Sequence, residues 1–214
     1  MEDLSEQAIR EKCPHCDTAS QAFRHKLDET QYFHIVADVH PLTEGHLLII
    51  PKQHIACIGE YSNSLFEEFQ EIYQRVAKFV EKEYGSVSSF EHGKAGQTVF
   101  HSHVHLLPFH GRATDIIPEG MESVEEIAGI SDLKSIYEKN GQYLFFSIGN
   151  NAWSVDASLA QPGFFRHRFA RALGQSERGD WKAMHTNQKL MDTADRENER
   201  VAQQWRAITL LPKT

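Results

Sequence analysis

"QTVFHSHVHLLPF" (residues 97–109) sets His101, His103 and His105 on alternate residues of an apolar, β-branched run. A strand repeats every two residues. Read as a strand over 98–107, the run sends the three imidazoles to one face and Ser102, Val104 and Leu106 to the other. Val99, Leu106, Leu107 and Pro108 suit a central strand, where idle imidazoles are costly to bury. Successive imidazoles on that face stand roughly 6.5–7 Å apart along the chain, too far for three to share one ion. The spacing suits separate tasks, in which one ring anchors, the next reacts and the third steadies the reacting group. The alternatives are a solvent-exposed histidine face or a chance cluster.

Around this run the pattern is that of an α+β fold. "QYFHIVADV" (31–39) and the near-continuous apolar "HLLIIP" (46–51), separated by Pro41 and Gly45, read as an antiparallel pair with the second strand buried. Leu65, Phe69, Ile72, Val76 and Phe79 recur at steps of three and four and define an amphipathic helix, with Ser64 and Glu67 as a capping box and Gly85 at its end. "SVSSFEH" (86–92) reads as a strand that forms a hairpin with the histidine strand through "GKAGQ" (93–97).

Composition shifts after Phe109, so the chain divides into a first domain over 1–110 and an extension over 111–214 packed on it. In the extension, Ser131 is placed to cap a short helix through Lys139, 142–149 reads as a strand, 162–174 as a helix, and the polar last 30 residues as helical. Arg168 and Arg171 share a helical face. That helix serves either as amphipathic cover for the sheet or as a carrier of arginines toward a phosphate or a partner subunit.

The 214 residues are 40% hydrophobic and 24% charged, as in soluble globular proteins. A net charge of −8 argues against general nucleic-acid binding, and no apolar stretch approaches a membrane span. The acidic start "MEDLSEQAIREK" is unlike a secretory signal, so a cytoplasmic setting is expected. Three cysteines, two of them at Cys13 and Cys16, make a disulfide framework a poor reading. "CPHC" is instead half of a zinc site, or a redox pair of the thioredoxin kind, although no strand precedes it. His15 between the two thiols reads as solvent-facing, and Cys57 as a small packing residue.

Gly93 and Gly96 allow tight or left-handed backbone, so their amides could approach an anion, and Gln97 and Thr98 offer an amide and a hydroxyl at the same edge. "GQTVFHSHVHLLP" resembles the histidine triad motif, and "GHLLIIPKQH" (45–54) and "IVADVHPLTEG" (35–45) resemble the segments upstream of it in that superfamily. The resemblance covers residues 13–110. It implies a histidine-triad-like antiparallel sheet with flanking helices, a homodimer, and chemistry at the α-phosphorus of a nucleotide. On matching positions it makes His103 the nucleophile that forms a nucleotidyl-histidine and His105 the group that helps place it. It assigns Gly96, Gln97 and Thr98 to the phosphate and leaving group, and Asp38 to the ribose hydroxyls.

The resemblance also assigns a structural zinc to Cys13, Cys16, His54 and His101, four ligands that leave no open position. The third histidine argues against the hexose-1-phosphate uridylyltransferase branch, where a glutamine usually stands. A nucleoside phosphoramidate and a dinucleoside polyphosphate remain as substrates. "SFEHGKAGQ" (89–97) departs from the asparagine-bearing loop of many relatives, which leaves His92 either in the pocket or at the surface. The alternative of another class is a non-catalytic nucleotide-binding scaffold.

Overall fold

A computed structural model describes residues 12–209; the acidic start, apart from Lys12, lies outside the described residues. In chain order the elements are β1 (Lys26–Glu29), β2 (Phe33–Ala37), β3 (Leu47–Pro51), α1 (Asn63–Tyr84), β4 (Ser88–Glu91) and β5 (Val104–Leu107). After these come α2 (Ala113–Ile116), β6 (Val124–Ile127), α3 (Leu133–Asn140), β7 (Leu144–Ile148), β8 (Asn151–Val155), α4 (Phe164–Ala172), α5 (Trp181–His185) and α6 (Gln188–Thr209). All strands join one antiparallel sheet in the order β1-β2-β3-β5-β4-β7-β8-β6.

The antiparallel β2–β3 pair forms as expected, with Ile35 opposite Ile49, and both strands are buried throughout. β5 lies centrally between β3 and β4. Its period-two alternation sends Val104 and Leu106 to the face covered by α1, where Leu65, Phe69, Ile72 and Val76 meet Phe33, Ile35, Leu47 and Ile49. His105 and Leu107 fall on the opposite face. There Phe90 and Phe146 meet Phe165 and Phe169 of α4.

The histidine strand is shorter than the alternation suggests, and the stretch before Val104 is not paired in the sheet. The ladder matches Leu47 with Leu106 and Ile49 with Val104, so its next position would oppose Ser102 to Pro51, which has no N–H to give. Ser102 donates its own N–H to the carbonyl of Ile55 at 2.6 Å instead. His101 and His103 therefore ride on an irregular segment whose side chains need not share one face.

The N-cap of α1 lies two residues before the expected one. Ser62, not Ser64, accepts the Leu65 N–H at 3.3 Å, while Gly85 closes the helix in the left-handed region at φ 81°. Likewise Ser131 does not cap α3, because a 3₁₀ turn over Ile130–Asp132 leads into the helix. Three strands had no clear sequence signal: β1, β6 and β8 are short, and β6 turns Glu125 and Glu126 to solvent.

The sheet runs through the composition shift near residue 110. β7 pairs along the outer edge of β4, with Phe90 opposite Phe146. Among the described residues no helix is long and apolar enough to cross a membrane.

Glu91, at the end of β4, ties the irregular histidine segment down. It is 1% exposed and accepts hydrogen bonds from Ser102 Oγ at 2.6 Å, the Tyr143 hydroxyl and the Ile58 N–H. Burial pushes its carboxyl up from 4.5 to about 7; the hydrogen bonds oppose that and nearby Glu60 adds to it. The folded state thus holds this proton more tightly than the unfolded chain does. The associated stability is fully present below about pH 4.5 and is lost as pH rises through about 7, a change of about 3 kcal/mol. Urea unfolding of wild type and Glu91→Gln at several pH values should show this difference closing in the variant. Parallel pH profiles for the two proteins would refute it.

Candidate active site and metal centre

The turn at Cys13–Cys16 comes down on the segment that carries His101. Sγ of Cys13 and of Cys16 each lie 3.4 Å from His101 Nδ1, and Cys16 Sγ lies 3.2 Å from His54 Nδ1. The four ligand atoms are all within 4.8 Å of one another. Zinc bonds of about 2.3 Å to sulfur and 2.0–2.1 Å to nitrogen put neighbouring ligands of a tetrahedron roughly 3.5 Å apart, so the group has suitable dimensions. His101 Nε2 donates to the Pro51 carbonyl at 2.7 Å, which leaves Nδ1 with the lone pair a metal requires. Cys57 takes no part. It is fully buried, and burial beside Glu91 and Glu60 pushes its thiol up to about 12.

His103 is held by its own segment. Nδ1 lies 2.6 Å from the His101 carbonyl, which accepts only if that nitrogen carries the proton. Nε2 then bears the lone pair. Burial keeps the ring below its ordinary pKa, with the His101 carbonyl and Asp38 pulling the other way.

His105 has the opposite tautomer, set from a distance. The Leu42 N–H donates to His46 Nδ1 at 3.0 Å, so His46 carries its proton on Nε2 and donates it to His105 Nδ1 at 2.9 Å. His105 consequently presents Nε2–H. Burial lowers His46 to about 4 and holds His105 well below its ordinary value, so both rings are neutral at neutral pH. Phe90 stacks on His105 with centroids 4.1 Å apart and planes 15° from parallel, fixing its orientation. Asp38, His46 and His105 also bring ligand-type atoms within 4.8 Å of one another, but the relay already uses both nitrogens of His46.

A cavity of about 260 Å³ opens on this face, with His15, Asp38, Thr98, His103, His105 and Arg166 in its wall and Trp181 and His185 from α5 beside them. His15 is a correction to the expected solvent position. It is 8% exposed, edge-on to His103 at 4.9 Å and to His101 at 5.6 Å. The turn that aims two thiols at His101 aims the residue between them into the cavity.

His92 is likewise buried, neither in the cavity wall nor at the surface, and accepts the Phe165 N–H on Nε2 at 3.2 Å. Asp38 is buried with both oxygens engaged, Oδ1 by the His40 N–H at 2.9 Å and Oδ2 by Arg166 Nη1 at 2.8 Å. Burial alone would raise its carboxyl; Arg166 and His46 hold it well below the usual carboxylate range.

Thr98 lies in the cavity wall; Gln97 and Gly96 do not. The Gln97 side-chain amide donates to the Ala56 carbonyl at 2.6 Å, and its Oε1 is buried without a hydrogen-bond partner among the described residues. Gly96 has φ +69°, and a Cβ there would fall 2.7 Å from the Gln161 carbonyl oxygen, so its missing side chain serves the close approach of the second half.

Three contributors escaped the sequence reading: Arg166, His46 and His15. The arginines it singled out do not enter the cavity wall. Arg168 pairs with Glu119 at 2.5 Å, so α4 acts as cover through its phenylalanines and sends in the neighbouring arginine. His46 had a usable signal, the Gly-His step directly before an apolar strand.

A family model described as the HIT domain matches residues 20–112. The chain is 36% identical over 86 residues to an uncharacterized HIT-like protein of Chlamydia trachomatis, spanning 38% of this chain and 78% of that protein. It is 36% identical over 83 residues to adenosine 5′-monophosphoramidase HNT1 of Saccharomyces cerevisiae, spanning 39% of this chain and 52% of that one. With bis(5′-adenosyl)-triphosphatase of Dictyostelium discoideum it shares 26% over 132 residues, 54% of this chain and 87% of that one. The alternating histidines, the apolar pair β2–β3 and the helix α1 all fall inside the matched stretch, and the chain belongs to the HIT, or histidine triad, family.

Proposed function

We propose that the protein is a nucleotide hydrolase or nucleotidyl transferase that acts at the α-phosphorus through a covalent nucleotidyl-His103. Its substrate is a nucleoside phosphoramidate or a dinucleoside polyphosphate. The observation that carries this reading is the 2.6 Å contact of His103 Nδ1 with the His101 carbonyl, which leaves the lone pair on Nε2 of a ring in the cavity wall. In the first step the Nε2 lone pair bonds to phosphorus while the bond to the leaving group breaks and its electron pair departs with that group. His105 donates its Nε2–H to a phosphate oxygen, and the Thr98 hydroxyl offers a second donor as charge develops. Water then bonds to phosphorus, the P–N bond breaks, and a nucleoside monophosphate leaves with His103 restored; a transferase replaces water with another acceptor. The names of the yeast and Dictyostelium relatives support the two substrate classes. Asp38, with one protein donor on each oxygen, keeps lone pairs for the ribose hydroxyls.

Cys13, Cys16, His54 and His101 would hold a zinc ion, whose contribution is to fasten the N-terminal turn to the catalytic segment. A homodimer, which the family resemblance favours, has to form through a surface other than the outer edge of β4, since β7 occupies it.

Turnover of adenosine 5′-phosphoramidate and of diadenosine polyphosphates in ¹⁸O-water tests the site of attack. Label is expected in the phosphate of the AMP product. Label found only on the departing phosphate chain would overturn the proposal.

A further inference from the structure

Five of the residues lining the cavity beside His103 are histidines, and the phosphate of the proposed substrate is an anion. Among the described residues lining it, only Asp38 and Arg166 carry a permanent charge. Arg166 comes from α4, well beyond the stretch that matches the family model. It is 7% exposed and held by three acceptors, Asp38 Oδ2 at 2.8 Å through Nη1 and the carbonyls of His40 at 2.6 Å and Arg178 at 3.4 Å through Nη2. Its Nε–H is buried without an acceptor among the described residues.

The second buried arginine of this region is a useful contrast. Arg178 makes a two-pronged pair with Glu197 at 2.7 and 2.9 Å and lies outside the cavity wall. Its charge is spent on holding α6 to the segment after α4. Arg166 meets its one carboxylate through a single nitrogen, and it differs from Arg178 in standing in the cavity wall, since the Nε of both is buried without an acceptor among the described residues. A guanidinium has five N–H groups in a planar fork, a geometry matched to phosphate oxygens. The guanidinium stands in the cavity wall, so a phosphate seated there meets a cation already held in place by Asp38 and His40.

We infer that Arg166 is a substrate-binding residue for the phosphate group, a fixed cation that the C-terminal half adds to the histidine site, with Asp38 as the residue that positions its guanidinium. The inference rests on the nucleotide reading above and deepens it. It gives the C-terminal half a direct part in substrate binding, and it adds the holding of an arginine to the task expected of Asp38.

Calorimetric titration of the full-length protein with AMP and with adenosine isolates the phosphate from the rest of the nucleotide. Wild type should prefer AMP by about tenfold to a hundredfold, the range for hydrogen bonds to a charged group. In Arg166→Met that preference should shrink to within about threefold, while adenosine affinity stays near wild type. Arg166→Lys keeps the charge without the fork and should fall between the two. An arginine that only supports the fold would weaken both ligands by the same factor, so an unchanged preference in Arg166→Met overturns the inference, as does a wild type that binds AMP no better than adenosine. Thermal unfolding of each variant identifies a failure to fold, and Arg166→Lys then carries the test. Should the protein show an Arg166-dependent preference for AMP but turn over no nucleotide, the hydrolase reading fails and this inference stands; turnover through His103 with no such preference gives the reverse.

Discussion

His103→Ala should reduce turnover of adenosine 5′-phosphoramidate by about 10⁴-fold or more, because the variant has no atom able to form the covalent intermediate. The loss should fall on kcat. Substrate binding draws on the cavity wall, where His105, Thr98 and Arg166 remain. Stability should change little, since His103 is only half-buried and its one named hydrogen bond goes to the carbonyl two residues before it. A variant folded like wild type that keeps more than about a tenth of the activity would show that another group attacks phosphorus. His15 would be the first to examine, its ring centred 4.9 Å from that of His103.

Metal loss is expected to have the second large effect, on stability first and activity after it. Cys13→Ala/Cys16→Ala removes both thiolates from the cluster of Cys13, Cys16, His54 and His101. Purified wild type should contain about one zinc per chain and the double variant almost none. Binding that exists only in the folded state adds directly to folding free energy, so a loss of about 3 kcal/mol or more is expected, a fall in Tm on the order of 10 °C. Activity should follow, because His101 belongs to the cluster and its carbonyl holds His103 Nδ1. Equal metal content in the two proteins, or a chelator that leaves Tm unchanged, would contradict the assignment.

The features legible in the sequence are those written in local periodicity. The stripe from Leu65 to Phe79 becomes α1 because residues at helical spacing must bury together, and "LLIIP" becomes β3 because both its faces are covered. His103 and His105 both line one cavity, although only His105 lies in the paired strand, and the cysteine pair meets His54 and His101. What stayed hidden depends on contacts between distant parts of the chain. Arg166 reaches Asp38 across 128 residues, and nothing in "FFRHRF" distinguishes it from Arg168. The true length of the histidine strand was obscured by Pro51, whose effect appears only once the β3–β5 register is known. His15 looked solvent-facing because a turn residue between two ligands has no local reason to be buried.

The most direct test of the central claim is to quench wild-type protein during turnover of adenosine 5′-phosphoramidate under mild alkaline conditions, digest it and locate any bound nucleotide by mass spectrometry. The account predicts an adenylyl group on the peptide containing residues 101–105, with fragmentation assigning it to His103. Adenylyl on His105 or His15, or turnover with no protein-bound nucleotide at any quench time, would contradict it.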